Sequence, residues 1–153
     1  WLAAQRATDD EIAALGELHE KFRGQVEAGA VGLEEDIAFH FKIAESSKNS
    51  VLRSLLSLIC PEIIEVARRY QTCREGRAQA TLGQHRAMLA HLARRDAEAA
   101  ADAMATHMQQ FLDAVISGLQ LEGRTEARAA IAWPPARLSF RAGAESVPAR
   151  EAP

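Results

Sequence analysis

The stretch LEEDIAFHFKIAESS, residues 33–47, combines a helical apolar face with two polar side chains at or beside that face. Its apolar residues recur at spacings of four, four and three: Leu33, Ile37, Phe41 and Ala44. This is the periodicity of one face of an α-helix. His40 lies on the same face and Asp36 borders it, one helical turn away. The spacing suits two ligands of one metal ion, and it equally suits an exposed Asp–His pair.

The composition around this stretch is that of an all-α protein. The chain has 153 residues, which suits one domain with a substantial core. It is rich in alanine, leucine, glutamate and arginine, and only 5% of its residues are aromatic. Residues of this kind favour helices over strands.

Charge and cysteine content exclude several classes of protein. The net charge of −3 does not favour a surface for nucleic acid or anionic membranes. The apolar stretches are too short and too charged to span a bilayer. Cys60 and Cys73 form no CxxC pair, and no signal peptide is visible, so a cytoplasmic protein is expected. Because the chain begins at Trp1 rather than Met, we expect it to be part of a longer protein.

Start and stop patterns divide the chain into helices joined by short loops. Thr8 and Glu11 form a predicted capping box at the start of one helix. From Leu52 the apolar positions 52, 55, 59, 63, 66 and 70 follow spacings of three and four, which predicts one continuous helix to about Tyr70 with this inner stripe and a kink at Pro61. Two more helices are predicted to end near Arg94 and Leu121. Short loops favour an antiparallel bundle.

Two more histidines lie within apolar stripes of these helices. His85 falls between Leu82 and Met88, and His107 falls between Met104 and Phe111. A single histidine on an apolar face is usually a core residue that bonds a backbone carbonyl. Three on three helices, with an aspartate one turn from the first, can converge in a bundle. The set Asp36, His40, His85 and His107 is therefore a candidate site for zinc, nickel, manganese or iron. The other histidines, His19 and His91, are predicted to be surface residues.

Known catalytic patterns find no match in this sequence. The Glu-x-x-His motif of ferritin-like di-iron proteins is absent, and so is HExxH. No serine or cysteine nucleophile has an adjacent base at a recognisable spacing. The alternative to a binding domain is a metal-dependent hydrolase or isomerase built on a helical bundle, since a metal with open positions can activate water.

The last segment, residues 122–153, differs from the rest of the chain. It contains four of the five prolines, and its charges are mixed and irregular. We predict an irregular tail here that follows a helical domain of residues 1–121.

Five stretches together resemble the FCD domain, the effector-binding domain of FadR-type GntR transcription regulators. They are TDDEI at 8–12, DIAFHFKIAESSKN at 36–49, QHRAML at 84–89, RDAEAA at 95–100 and MATHM at 104–108. The resemblance covers about residues 1–121. It implies a usually dimeric, antiparallel bundle of six or seven helices around a central cavity for metal and ligand.

The resemblance also implies roles for individual residues. In metal-binding members, one aspartate and three histidines hold a divalent ion, and the matching positions here are Asp36, His40, His85 and His107. Such domains sense small organic acids, and a nearby arginine, for which Arg69 is the candidate, pairs with the acid. The winged helix-turn-helix that binds operator DNA in this family would precede the domain and is absent from this sequence. Effector binding would then regulate transcription by changing the arrangement of two DNA-binding heads in a dimer.

Overall fold

The computed structural model describes residues 1–69 and 76–121, and these residues form six helices and no strand. The helices are α1 Leu2–Arg6, α2 Asp9–Glu27, α3 Leu33–Ser46, α4 Ser50–Arg69, α5 Arg77–Ala93 and α6 Ala97–Leu121. The prediction of an all-α bundle is confirmed. No helix in this part of the chain is both long enough and apolar enough to cross a lipid bilayer. The predicted tail at 122–153 and Cys73 lie outside the described residues.

Helix starts follow the capping residues of the sequence. The Thr8 hydroxyl accepts a hydrogen bond from the Glu11 backbone at 3.2 Å, and the Thr8 backbone donates to the Glu11 carboxylate at 2.9 Å. This is the predicted capping box. The Asn49 side chain accepts from the first backbone N–H groups of α4, and Asp96 accepts from Ala99 at the start of α6. Each of these caps satisfies donors that a helix leaves unpaired.

Gly32 permits a close approach between the turn before α3 and the ring of Phe22 on α2. It has φ +65°, and a Cβ added there would lie 2.5 Å from that ring. A side chain at this position would displace Phe22. The position therefore needs glycine both for its backbone conformation and for its lack of a side chain.

Two basic residues with left-handed backbone conformations bind to residues at the start of α2. Lys48 follows α3 with φ 54°, and Arg95 follows α5 with φ 58°. Such conformations are unfavourable for residues other than glycine. Lys48 pairs with Glu11, while Arg95 donates to the Ala7 carbonyl and to Asp9. These contacts tie the ends of α3 and α5 to the first turn of α2.

The main core lies among α1, α2, α3, α5 and α6. Its buried residues are Ala3, Ala4, Leu15, Phe39, Met88, Leu92 and Ala100. The short side chains on α1 and α6 allow those helices to approach closely, while the large residues of α2, α3 and α5 fill the centre. α2 packs against both α3 and α5, and α5 packs against α6.

Helix α4 is packed differently from the others. It is continuous through Pro61, as predicted, but only Cys60 and Ala67 are buried, and its main neighbour is α3. Leu55 and Ile59 belong to the predicted inner stripe, yet they are 53% and 47% exposed. The row that lines the cavity is Leu52, Leu56, Cys60, Ile63 and Ala67, which shares Leu52 and Ile63 with the predicted stripe but replaces the others by their neighbours. Because the neighbouring positions are apolar too, the sequence pattern alone could not distinguish which row turns inward.

Candidate metal centre

Four side chains from three helices meet at one point in the interior. Asp36 and His40 come from α3, His85 from α5 and His107 from α6. One ligand atom from each lies within 4.8 Å of the corresponding atoms of the other three. The structure thus brings together all four residues that the sequence singled out.

Three of the separations between these atoms match those of ligands around a single ion. Asp36 Oδ1 lies 3.1 Å from His85 Nε2 and 4.0 Å from His40 Nε2. The Nε2 atoms of His40 and His107 are 3.0 Å apart. Ligands about 2.1 Å from a metal are about 3.0 Å apart at right angles and about 4.2 Å apart on opposite sides. The measured distances fall within this range.

Three atoms of the cluster side chains are buried without a hydrogen bond to the described residues: Asp36 Oδ1, His85 Nε2 and His85 Nδ1. Although Asp36 Oδ1 and His85 Nε2 are only 3.1 Å apart, their relative orientation is not that of a hydrogen bond. A buried polar atom without a partner costs about 1–3 kcal/mol. A cation bound by Asp36 Oδ1 and His85 Nε2 would satisfy both of these atoms, so the residues present fit a metal site.

Burial sets the protonation states that metal binding requires. Burial lowers the pKa of His40, although Asp36 acts in the opposite direction. Burial and the neighbouring His40 lower the pKa of His107 to about 3. For Asp36, burial acts to raise the pKa, but the nearby His85 and His40 outweigh it and the pKa is lowered. A carboxylate beside neutral imidazoles is the form that binds a divalent cation.

Two aromatic rings pack against His85. It is fully buried, with Phe39 stacked on it at a centroid distance of 4.1 Å and Phe22 tilted against it at 5.3 Å. Phe22 reaches this position because Gly32 leaves room for its ring. The enclosure fixes the direction of the imidazole ring, so that Nε2 faces Asp36.

Gln84 orients His107. Its Oε1 lies 2.8 Å from His107 Nδ1. Since an amide oxygen only accepts, Nδ1 carries the proton and the lone pair of Nε2 faces the cluster. Partners of this kind determine the tautomer of metal-ligating histidines. In the sequence, Gln84 is not recognisable as a partner of His107, because a glutamine on a helix usually faces solvent and the only signal is its adjacency to His85.

The prediction that His19 is a surface residue was wrong. His19 is 5% exposed, and its ring meets the ring of His85 edge-on at a centroid distance of 6.3 Å. Burial lowers its pKa. The missed clue is its spacing, four residues after Leu15 and three before Phe22, which are the other buried residues of α2. His91 lies outside the cluster, within hydrogen-bonding distance of Arg94.

A cavity of about 680 Å³ adjoins the cluster. Asp36, His40 and His107 form part of its wall, and most of the remaining lining is apolar. Arg77, at the start of α5, also lines it. Arg69, the arginine chosen from the sequence, is exposed at the end of α4 and is not among the described residues that line the cavity. In the sequence, the position of Arg77 directly after Gly76 was the only signal, since its partial burial is known from the structure alone.

Comparison with known families identifies the domain. The sequence matches the FCD domain over residues 1–110. No curated protein matches the chain. The FCD domain is the effector-binding domain of GntR/FadR regulators, and it is a regulatory ligand-binding domain rather than a catalytic one. Since the match covers more than two thirds of the sequence and the bundle carries a buried Asp/His cluster, the chain belongs to the FCD family of effector-binding domains.

Proposed function

We propose that this domain binds an organic acid through a divalent metal held by Asp36, His40, His85 and His107. The observation that carries the proposal is the placement of four potential ligand atoms within 4.8 Å of one another, with Asp36, His40 and His107 on the wall of a cavity of about 680 Å³. A bound ion would supply a positive centre to which a carboxylate oxygen can coordinate. The effector-sensing role of the family supports the same conclusion.

Zinc is the metal that we propose first, with nickel, manganese or iron as alternatives. Three imidazoles and one carboxylate are ligands that all four metals accept. The absence of thiolate among the four residues disfavours a purely soft metal site.

An arginine is proposed to pair with the acid. Arg69 is the candidate from the family resemblance, and Arg77 is a second candidate because it lines the cavity. The guanidinium of either arginine can donate two parallel hydrogen bonds to a carboxylate. Thr81, one turn further along α5, also lines the cavity and offers a hydroxyl.

Regulation is proposed to work through a homodimer in the cytoplasm. Residues 1–121 would form the sensing domain, and a separate winged helix-turn-helix would bind operator DNA. The exposed apolar residues of α4, such as Leu55 and Leu58, suit contact with a second copy. An effector can change the arrangement of the dimer only if it binds one arrangement more tightly than the other.

Metal content and calorimetry test the proposal. The purified 153-residue chain should contain about one equivalent of divalent metal, and metal removal should lower its melting temperature. His85→Ala and His107→Ala should abolish tight binding of added Zn²⁺. His91→Ala is the matched control, because His91 lies outside the cluster, and it should bind metal normally. A wild-type chain that binds no divalent metal, or His variants with unchanged affinity, would refute the proposal.

A further inference from the structure

We infer that the acid bound here has an extended apolar body, alkyl or aromatic, rather than being a short hydroxy acid or a sugar acid. This inference rests on the proposed function, since it takes the metal cluster as the place where the carboxylate binds. The inference adds the chemical character of the rest of the bound acid, which the cavity beyond the cluster determines.

The walls beyond the cluster are mainly hydrocarbon. α4 contributes Leu52, Leu56 and Ile63, and α6 contributes Met108 and Phe111 on the other side. Apart from the cluster, polar side chains on the described lining are few: Ser47, Arg77, Thr81 and Gln110. The cavity therefore has one charged region and a larger apolar region. It matches a ligand that has a carboxylate at one end and a larger apolar body.

Hydrogen-bonding capacity argues against a polyhydroxy acid. Each hydroxyl of a sugar acid loses its hydrogen bonds to water when it enters a cavity and needs a partner there. On the described lining of α4 and α6, outside the cluster, the Gln110 amide and the weakly bonding Cys60 thiol are the side-chain groups that could serve as such partners. A hydrocarbon body needs none, and it gains affinity from each apolar group that leaves water.

The size of the cavity argues against the smallest acids. A volume of about 680 Å³ lies within the range of about 300–1,000 Å³ typical of sites for drug-sized ligands. A two- or three-carbon acid would leave most of this space filled by water against apolar walls. Met104 and Met108 are flexible and polarisable, so they can adapt to either an alkyl chain or an aromatic ring.

A chain-length series tests this inference. The metal-loaded 153-residue chain is titrated by calorimetry with acetate, butanoate, hexanoate and octanoate, with phenylacetate as the aromatic probe, and with lactate and gluconate as polar probes. We expect affinity to rise by up to about fourfold per methylene from butanoate to octanoate. Lactate and gluconate should bind no more tightly than acetate, and phenylacetate should bind more tightly than acetate.

Two leucines on α4 provide a matched pair of variants. Leu56 lines the cavity, whereas Leu58 is 74% exposed and does not line it. Leu56→Asn should reduce the rise in affinity to less than twofold per methylene, while Leu58→Asn should leave this rise unchanged. If Leu56→Asn fails to fold by circular dichroism, Leu56→Ala serves in its place and should reduce the gain by a smaller amount.

The possible failures are distinguishable. If acetate binds only in the presence of metal and octanoate binds no more tightly, the inference about the apolar body is wrong and the proposed function stands. The same conclusion follows if gluconate is the tightest ligand. If no acid binds to the metal-loaded chain at any length, both proposals fail.

Discussion

Helices α4 and α5 have similar lengths, but the structure uses them in different ways. α5 buries Leu82, His85, Met88 and Leu92 against its neighbours, whereas α4, which is three residues longer, buries only Cys60 and Ala67. α4 nevertheless has the more regular apolar pattern in the sequence. The comparison shows that an apolar stripe can face either packed side chains or a cavity.

This difference separates two parts of the domain. The candidate metal cluster is built from residues of α3, α5 and α6, which pack around the main core. α4 forms one wall of the cavity and is packed mainly on α3. A helix with few buried apolar contacts is the element that can shift or open most easily. We therefore expect effector binding to alter the position of α4 while the cluster stays fixed.

The largest expected effect compares a core leucine with a leucine on the exposed face of α4. Leu15 is fully buried on α2, and Leu58 is 74% exposed. Leu15→Ala should lower the free energy of unfolding by about 3 kcal/mol because it removes packed methylene groups and leaves a cavity. Leu58→Ala should change it by less than about 0.5 kcal/mol.

Urea denaturation of both variants measures the difference. A loss of more than about 2 kcal/mol in Leu58→Ala would show that this face is packed in solution, as it would be against a second copy. In that case, the loss should depend on protein concentration.

The pH dependence of stability in the metal-free protein also distinguishes α4 from the other helices. Every histidine whose pKa is lowered lies outside α4. Burial lowers the pKa of His19, His40 and His107, the last to about 3. An unfolded histidine takes up a proton near pH 6.5, while the folded one stays neutral. Protonation thus favours the unfolded chain, and stability is greatest above pH 6.5 and is lost as pH falls towards 3.

The expected slope is up to about 1.4 kcal/mol per pH unit for each such histidine. Urea denaturation after chelation, at pH 7.5, 6.5 and 5.5, measures it. His107→Leu should give a shallower slope, since one of the groups is removed. An identical slope in this variant would contradict a neutral, buried His107.

A substitution of Gln84 tests whether α3, α5 and α6 alone determine the affinity of the cluster for metal. Gln84→Ala should weaken Zn²⁺ binding about 10- to 100-fold, since His107 loses the acceptor that determines its tautomer. Leu56→Ala, on the cavity wall of α4, should leave Zn²⁺ affinity unchanged. Competition titration with a chelating dye measures both. Equal losses in the two variants would mean that α4 also supports the cluster.

The smallest expected effect concerns the two candidate arginines, Arg69 at the end of α4 and Arg77 at the start of α5. Arg77→Gln should weaken hexanoate binding to the metal-loaded protein about tenfold, since a charge-assisted pair with the carboxylate is lost. Arg69→Gln is the matched substitution at the end of α4. Calorimetry decides between them, and a loss found only in Arg69→Gln would support the assignment made from the family resemblance.

The sequence was sufficient to predict the helices and the four residues of the cluster. Helix starts depend on local contacts, such as those of Thr8 with Glu11, so they are visible in a short window of sequence. Asp36, His40, His85 and His107 stood out because polar residues interrupted apolar stripes, and the family resemblance grouped them. The roles of these four residues remain proposals.

Other features depended on the rotation and separation of whole helices. His19 is buried because α2 packs against α5, and Gln84 contacts His107 because α5 packs against α6. Arg77 lines the cavity, which exists because α4 lies against α3 rather than filling the space beside α5 and α6.

The sequence by itself determined which segments are helical and which of them carry potential metal ligands, because both follow from neighbours within one or two turns. The tertiary structure alone decided which row of α4 faces inward and which glutamine orients a histidine on another helix. Those outcomes depend on packing between residues far apart in the chain, and the periodicity of a single helix does not contain that information.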